Sequence, residues 1–233
     1  MAGERSQEKP SQGVLYVVAL PIGNLDDVTL RALRVLRQVH VVASKSPRHM
    51  QTFLRRHRIR ALLTTYDRRN AQEKAPILLH RLRSGSTVAL VSDCGTPGLY
   101  DAGSLLVAQA HRAGIPIVSI PGPSALTASL AIAGMSGNRL SFHGRFPVSE
   151  TSGTRLLTEL KGLRCTNIFF VPPERLRTIL TLIERCLGNR NIVVAVNLTQ
   201  PDERLLRGRI TTVLRKGPLY FPGADVTVLV AGR

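Results

Sequence analysis

Three stretches of this chain could hold a ligand with main-chain atoms: LPIGN (20–24), SDCGTPG (92–98) and PGPSA (121–125). Each follows an apolar run and puts Gly and Pro where a strand should end. In an open parallel sheet, ligands bind outside the carboxyl ends of the strands. Gly and Pro there let the backbone come close, so its N–H and C=O groups can read an adenine edge or a carboxylate. One such loop alone more often just turns the chain. Three in one α/β unit point to a shared site. None contains the GxxxxGK[ST] phosphate loop or the GxGxxG fingerprint, which argues against a nucleoside-triphosphate or dinucleotide site of those kinds.

Side chains that could add chemistry are few. Asp93 either faces a polar ligand group or caps its own loop. Asp101 suits the cap of the helix that follows. His143 in SFHGRFP could approach an acceptor, although a lone histidine is more often a packing residue. Cys94, Cys165 and Cys186 lie far apart, with no CxxC and no metal-like Cys/His spacing. No metal site is expected, and a reduced, cytoplasmic setting fits.

The loops need strands beneath them. VLYVVALPIGN, HVVAS, ALLTTYD, STVALVSD and IPIVSIPG read as strands, rich in β-branched residues and closed by turn formers. Between them, DDVTLRALRVLRQV, SPRHMQTFLRRHRI, EKAPILLHRLRSG and AGSLLVAQAHRAG read as helices. Asp26 or Asp27 is expected to cap the first helix and Ser46 the second. This alternation predicts a largely parallel sheet with crossover helices. After PGPSALTASLAIAG the texture changes. RLSFHGRFP, TNIFFVPP, NIVVAVNLTQ, ERLLRGRITTVL and DVTVLVAGR are short strands, with helices such as PERLRTILTLIERCLG between them. A second α/β unit with more antiparallel pairing is expected. The expected division is a polar tail over 1–13, an N-terminal α/β domain over 14–120 and a C-terminal α/β domain over 121–233.

Charge restricts the partner. Lys and Arg number 32 against 15 Asp and Glu, a formal net charge of +17. So basic a chain suits a polyanion, with nucleic acid the first candidate. No acidic residue lies between Asp27 and Asp67, a stretch that carries Arg31, Arg34, Arg37, Lys45, Arg48, Arg55, Arg56, Arg58 and Arg60. Of these, Arg31, Lys45, Arg48, Arg55, Arg56 and Arg58 are the expected RNA contacts. Trp is absent and aromatics make up only 4%, which argues against a single-strand binder built on stacking platforms. No apolar run approaches a membrane span, and MAGERSQEKPSQG lacks the apolar core of a signal peptide.

LYVVALPIGNLDDVTLRALRVL, VALVSDCGTPGLYDAG and IPIVSIPGPSAL, in that order, resemble the small-subunit ribosomal RNA 2′-O-ribose methyltransferase I family of the tetrapyrrole (corrin/porphyrin) methylase superfamily. NLTQPDERLLRG is similar to that family's RELTK…E…G segment, and VTVLVAG to its closing strand. The resemblance runs from about Leu15 to Gly232. It implies a tetrapyrrole-methylase-like α/β fold, with two α/β domains and the cofactor cleft between them, usually as a homodimer. It implies S-adenosylmethionine as cofactor. The methyl acceptor would be a ribose hydroxyl of ribosomal RNA, free or within the small ribosomal subunit. Carried onto this sequence, the cofactor pocket would use Pro21, Gly23, Asp93, Gly95, Thr96, Pro97, Ser124 and Ala125, with Asn197, Leu198 and Thr199 from the second domain. Glu203 matches the acid that follows LT in the family.

The pattern departs from the family on the loops expected to face acceptor and cofactor. The usual AEDTR reads ASKSPRH here: Arg48 is kept, the acidic pair is gone, and Lys45 stands at an acidic position. TYDRRNAQE replaces SYHEHNE, FFVPPER replaces FYESPHR, and VNLTQ replaces RELTK. Three readings follow: a ribosomal RNA ribose methyltransferase, a methyltransferase of a small tetrapyrrole-like molecule, or a non-catalytic RNA-binding relative. The basic block favours RNA. The catalytic group is left unassigned, with Arg48, His143 and Glu203 as the candidates.

Overall fold

The computed structural model describes residues 12–216 and 219–233. Most of the expected tail, residues 1–11, lies outside the described residues. Gly13 is already packed: it is buried, and its N–H donates to Leu82 O at 2.8 Å. The chain forms two compact units. One runs through Pro21 and resumes over Leu25–Pro123; the other comprises Ile22–Asn24 and Ser124–Arg233.

The first unit is built on strands β1 (Leu15–Val18), β2 (Val41–Ser44), β3 (Leu62–Thr65), β4 (Val88–Val91) and β5 (Ile117–Ile120). They form one sheet in the order β3-β2-β4-β1-β5, and every pair is parallel. Strands β2 and β4 are buried at every residue, as a sheet covered on both faces requires. Helices α3 (Ala71–Arg83) and α4 (Gly103–Arg112) press Leu78, Leu82, Leu106 and Ala110 onto one face, against Leu15, Val41 and Leu90. Helices α1 (Leu30–Gln38) and α2 (Pro47–Arg56) press Leu36, Met50, Phe53 and Leu54 onto the other, against Val18, Val42 and Ala89. One expected cap is corrected, and the other holds its position without a cap bond. Thr29, not an aspartate, caps α1: its hydroxyl accepts from Ala32 N–H at 3.1 Å, while Asp26 and Asp27 lie in a 3-10 turn before it. Ser46 is the N-cap residue of α2, as expected, but its hydroxyl makes no cap bond to that helix.

The second unit contains α5 (Ala125–Ala133), β6 (Leu140–Arg145), α6 (Glu150–Leu160), β7 (Thr166–Val171), α7 (Leu176–Leu187), β8 (Asn191–Val196), β9 (Arg204–Arg209), α8 (Ile210–Arg215) and β10 (Val226–Val230). Its sheet runs β6-β7-β10-β8-β9, parallel between β6 and β7 and antiparallel elsewhere. A large core forms where Leu157 of α6, Leu176, Ile179 and Ile183 of α7 and Ile210 of α8 meet Phe169, Val194 and Val228. Ala133, with Leu126 and Leu130 packed beside it, joins Ile168, Val193 and Leu229 in a second cluster. The segment ERLLRGRITTVL, expected as one strand, divides at Ile210, because Ile210 and Val213 are buried at helical spacing. Helix α6 escaped the pattern reading because Gly153 weakens it. A Cβ there would lie 2.9 Å from the Phe146 ring, so close packing explains the glycine.

Candidate functional site

In the first unit the parallel strands all end at one edge, and their loops are tied together there. Leu20 N–H donates to Gly95 O, and Gly95 N–H donates to Leu20 O, each at 3.0 Å. Gly95 sits at φ +76°, a conformation that favours glycine. Ser92 Oγ lies 2.9 Å from Cys94 O and 2.8 Å from Gly95 O and donates into that pair. Thr96 Oγ1 donates to Pro123 O at 3.2 Å, and Ala19 N–H donates to Ile120 O at 3.1 Å. The loops after β1, β4 and β5 thus meet through main-chain and short side-chain bonds. Pro21, Asp93, Gly95, Thr96 and Pro97 come together here. Asp101, expected as the cap of α4, lies one residue before its N-cap residue, Ala102; its Oδ1 accepts from Gly98 N–H at 2.7 Å and from Gly103 N–H, the first residue of the helix, at 2.8 Å.

Asp93 divides its two oxygens. Its Oδ2 accepts from Ser46 Oγ at 2.9 Å and lies 3.5 Å from Lys45 Nζ. Its Oδ1 is buried with no donor among the described residues. Buried carboxylate oxygens are normally satisfied, so this one is an acceptor awaiting a donor. Asp93 also borders a cavity of about 20 Å³, lined with it by Leu20, Pro21, Ser44, His49, Phe53 and Ser92. That space admits one water-sized polar group. Lys45 and Ser46 are the residues that hold Asp93.

The second unit gathers the other expected cofactor residues. Ile22 packs with Leu198, Ala195, Ala125 and Ala128. Asn24 N–H donates to Thr199 Oγ1 at 2.9 Å. A Cβ on Gly23 would stand 2.6 Å from Leu198 O, so the position admits only glycine. Asn197 and Thr199 both have positive φ, +49° and +68°. For a β-branched residue this is a true outlier, sustained only by surrounding bonds. Those bonds are present. Thr199 N–H donates to Glu203 Oε2 at 2.6 Å, Asn197 Nδ2 to Asp202 Oδ2 at 2.7 Å, and Asp225 N–H to Asn197 Oδ1 at 2.9 Å. Glu203 therefore holds the turn. Ser124 is the N-cap residue of α5 but makes no side-chain cap bond.

The remaining expected residues are placed as follows. His143 lies on β6, its Nε2 3.0 Å from Asn167 Oδ1 and its ring stacked on Phe169 at 4.9 Å, the geometry of a packing residue. Arg31 on α1, and Arg48, Arg55 and Arg56 on α2, are exposed, as are Lys45 and Arg58. Within the same segment, His57 stacks on Phe53 at 4.6 Å. Burial, then the charges of Arg56 and Arg37, hold its imidazole below the ordinary histidine range. Sequence reasoning did not find the contact of Ser46 with Asp93, nor the joining of Ile22–Asn24 to the second unit. The first had no local signal. The second joins residues 175 positions apart.

The family model described as "Tetrapyrrole (Corrin/Porphyrin) Methylases" matches residues 14–214. A Thermotoga maritima protein named "Ribosomal RNA small subunit methyltransferase I" is 34% identical over 221 residues, covering 95% of this chain and 99% of that one. A Micromonospora olivasterospora protein of the same name is 40% identical over 231 residues, covering 99% of this chain and 74% of its own length. Among solved structures, a diphthine synthase superposes with a TM-score of 0.73 at 18% identity, covering 94% of this chain and 90% of that one. The cobalt precorrin-4 methyltransferase CbiF does so with a TM-score of 0.68 at 22% identity, covering 94% of each. These structures share the fold.

Proposed function

The chain belongs to the tetrapyrrole (corrin/porphyrin) methylase family, and we propose that it transfers a methyl group from S-adenosylmethionine to a ribose 2′-hydroxyl of small-subunit ribosomal RNA. The observation that carries this reading is the likeness, at 34% and 40% identity over nearly the whole chain, to relatives named for that RNA. The exposed arginines of α1 and α2 support an RNA acceptor over a small, carboxylate-rich tetrapyrrole. The same reading includes a cytoplasmic homodimer. Among the described residues no helix is long and apolar enough to cross a membrane.

The residues suit such a cofactor. Asp93 Oδ1 is a buried acceptor that a cofactor hydroxyl or ammonium would satisfy. Of the residues that the resemblance assigns to the cofactor, Pro21, Asp93, Gly95, Thr96 and Pro97 belong to the first unit, and Gly23, Ser124, Ala125, Asn197, Leu198 and Thr199 to the second. When bound, S-adenosylmethionine supplies an electrophilic methyl group. The chain's part is alignment, which can contribute roughly 7–11 kcal/mol when a hydroxyl is held for in-line attack. The three candidate catalytic side chains differ in what they already do: His143 Nε2 lies 3.0 Å from Asn167 Oδ1, Glu203 Oε2 accepts from Thr199 N–H, and Arg48 offers guanidinium N–H donors and no acceptor.

A second reading is a cofactor-free RNA-binding relative. It is favoured by one observation: Lys45 and Ser46, in the stretch where the resemblance expects acids, already engage Asp93. Calorimetric titration with S-adenosylhomocysteine separates the two. Micromolar binding that weakens in Asp93→Ala supports the methyltransferase. No heat at millimolar ligand supports the second reading.

A further inference from the structure

One end of the second sheet opens into a cavity of about 540 Å³. It is formed where β6, β7 and β8 begin and where β9 and β10 end. The turn at Asn197–Thr199 lies at the opposite end of β8, whose six residues span roughly 20 Å at about 3.3 Å each. Within the second unit, the cavity is thus separate from the residues assigned to the cofactor.

Four arginines line it: Arg139, Arg164, Arg207 and Arg233; no Asp or Glu side chain does. Among the described residues, none of the four guanidinium groups has an ion-pair partner. Arg207 lies over the end of α5. Its guanidinium nitrogens pass over Gly134 so closely that a Cβ there would lie 3.2 Å from them. Gly134 ends α5 in the left-handed conformation, φ +59°. The guanidinium therefore sits at the negative end of that helix, which favours a cation. Asn138 and Asn191 add neutral amide donors to the lining. Phe, Tyr and Trp are absent from the lining, so the cavity has no platform for stacking a base. Unpaired guanidinium groups without an aromatic surface match phosphate oxygens, which they bind through paired N–H donors.

We infer that this cavity binds phosphodiester groups of the RNA substrate, as a second RNA contact surface on a different unit from the Arg31–Arg58 block. The inference rests on the RNA reading of the acceptor. Each phosphate neutralised releases counterions, so the cavity contributes to the salt dependence of RNA binding.

The test is RNA binding to the full chain, followed by fluorescence anisotropy with a small-subunit ribosomal RNA fragment over a series of salt concentrations. In Arg139→Glu/Arg207→Glu, affinity is expected to fall about tenfold or more, and the slope of log K against log salt to shrink by about 1 per arginine lost. S-adenosylhomocysteine binding and the thermal midpoint should stay at wild-type values. Because Arg207 packs on the end of α5, Arg164→Gln provides a variant away from that helix; it should lower the slope by about 1 on its own. Wild-type RNA binding that both variants leave unchanged would overturn the cavity assignment alone. A wild-type protein that binds S-adenosylhomocysteine but no RNA would overturn the RNA reading and this surface with it. If the variants lose affinity for adenosine monophosphate while retaining RNA, the phosphate comes from a free nucleotide, and the RNA assignment fails.

Discussion

Leu20 and Gly95 exchange both of their main-chain hydrogen bonds, N–H to C=O at 3.0 Å in each direction, across loops that follow two neighbouring parallel strands. The pairing is antiparallel between loops whose strands, β1 and β4, run parallel. It depends on a residue at φ +76° on one side. Gly95→Ala puts a Cβ into that conformation, at a cost of roughly 1 kcal/mol or more. A lower thermal midpoint and weaker S-adenosylhomocysteine binding are expected in the same variant. A midpoint shift with cofactor affinity intact would detach this pairing from the cofactor site.

Gly23 is constrained for a different reason. Its neighbour is backbone: Leu198 O stands 2.6 Å from where a Cβ would go. Gly23→Ala should therefore cost about 1–3 kcal/mol, as overpacking does, because a carbonyl in a strained turn has little room to move. Chemical denaturation measures the loss. Calorimetry should show cofactor affinity falling with it, since the turn that shifts carries Asn197 and Thr199.

Lys45 and Asp93 form a partly exposed pair, with side-chain exposures of 67% and 26%. Such pairs contribute about 0–1 kcal/mol to stability. Lys45→Met should change the denaturation midpoint little. Asp93→Ala removes the acceptor for Ser46 and the buried Oδ1 together, and its effect should appear in cofactor affinity. Equal cofactor affinities in Lys45→Met, Asp93→Ala and wild type would remove Asp93 from the site.

His57 predicts a pH dependence. Its folded-state pKa is lowered, chiefly by burial, so the folded chain binds fewer protons than the unfolded chain in that range. The stability it contributes is present above the unfolded value of about 6.5 and is lost as pH falls from there towards the folded value. A melting series from pH 7.5 to 5.5 should show a falling midpoint, and His57→Phe should flatten part of that fall. A His57→Phe curve parallel to wild type would show that His57 is not the group responsible.

The basic face of α1 and α2 predicts the salt response. Arg55→Glu/Arg56→Glu should weaken RNA binding and reduce its salt slope by about 1 for each arginine. Arg56 lies 3.9 Å from Asp26, both side chains being well exposed, so the reversal should disturb the fold little. Unchanged anisotropy titrations would place the RNA elsewhere.

Much of the first unit was legible because its strands are short β-branched runs closed by Gly and Pro, and burial on both faces leaves such runs little alternative. The site loops were legible for the same reason, since chemistry at the carboxyl ends of parallel strands needs Gly and Pro there. Caps were not. Thr29 competes with two nearby aspartates, and backbone geometry decides which side chain reaches Ala32 N–H. Helix α6 was hidden because Gly153, chosen for its contact with Phe146, looks like a break in the pattern. The joining of Ile22–Asn24 to Thr199 and the gathering of Arg139, Arg164, Arg207 and Arg233 depend on long-range strand pairing, which leaves no spacing to read.

The most direct test of the central claim is methyl transfer itself. Purified protein would be incubated with radiolabelled S-adenosylmethionine and unmodified small-subunit ribosomal RNA or subunits, and the RNA digested with alkali. Label is expected in the RNA, retained in an alkali-resistant dinucleotide, because a methylated 2′-oxygen cannot attack the adjacent phosphate. Cofactor binding without label in RNA, or label released in ordinary mononucleotides, would contradict it.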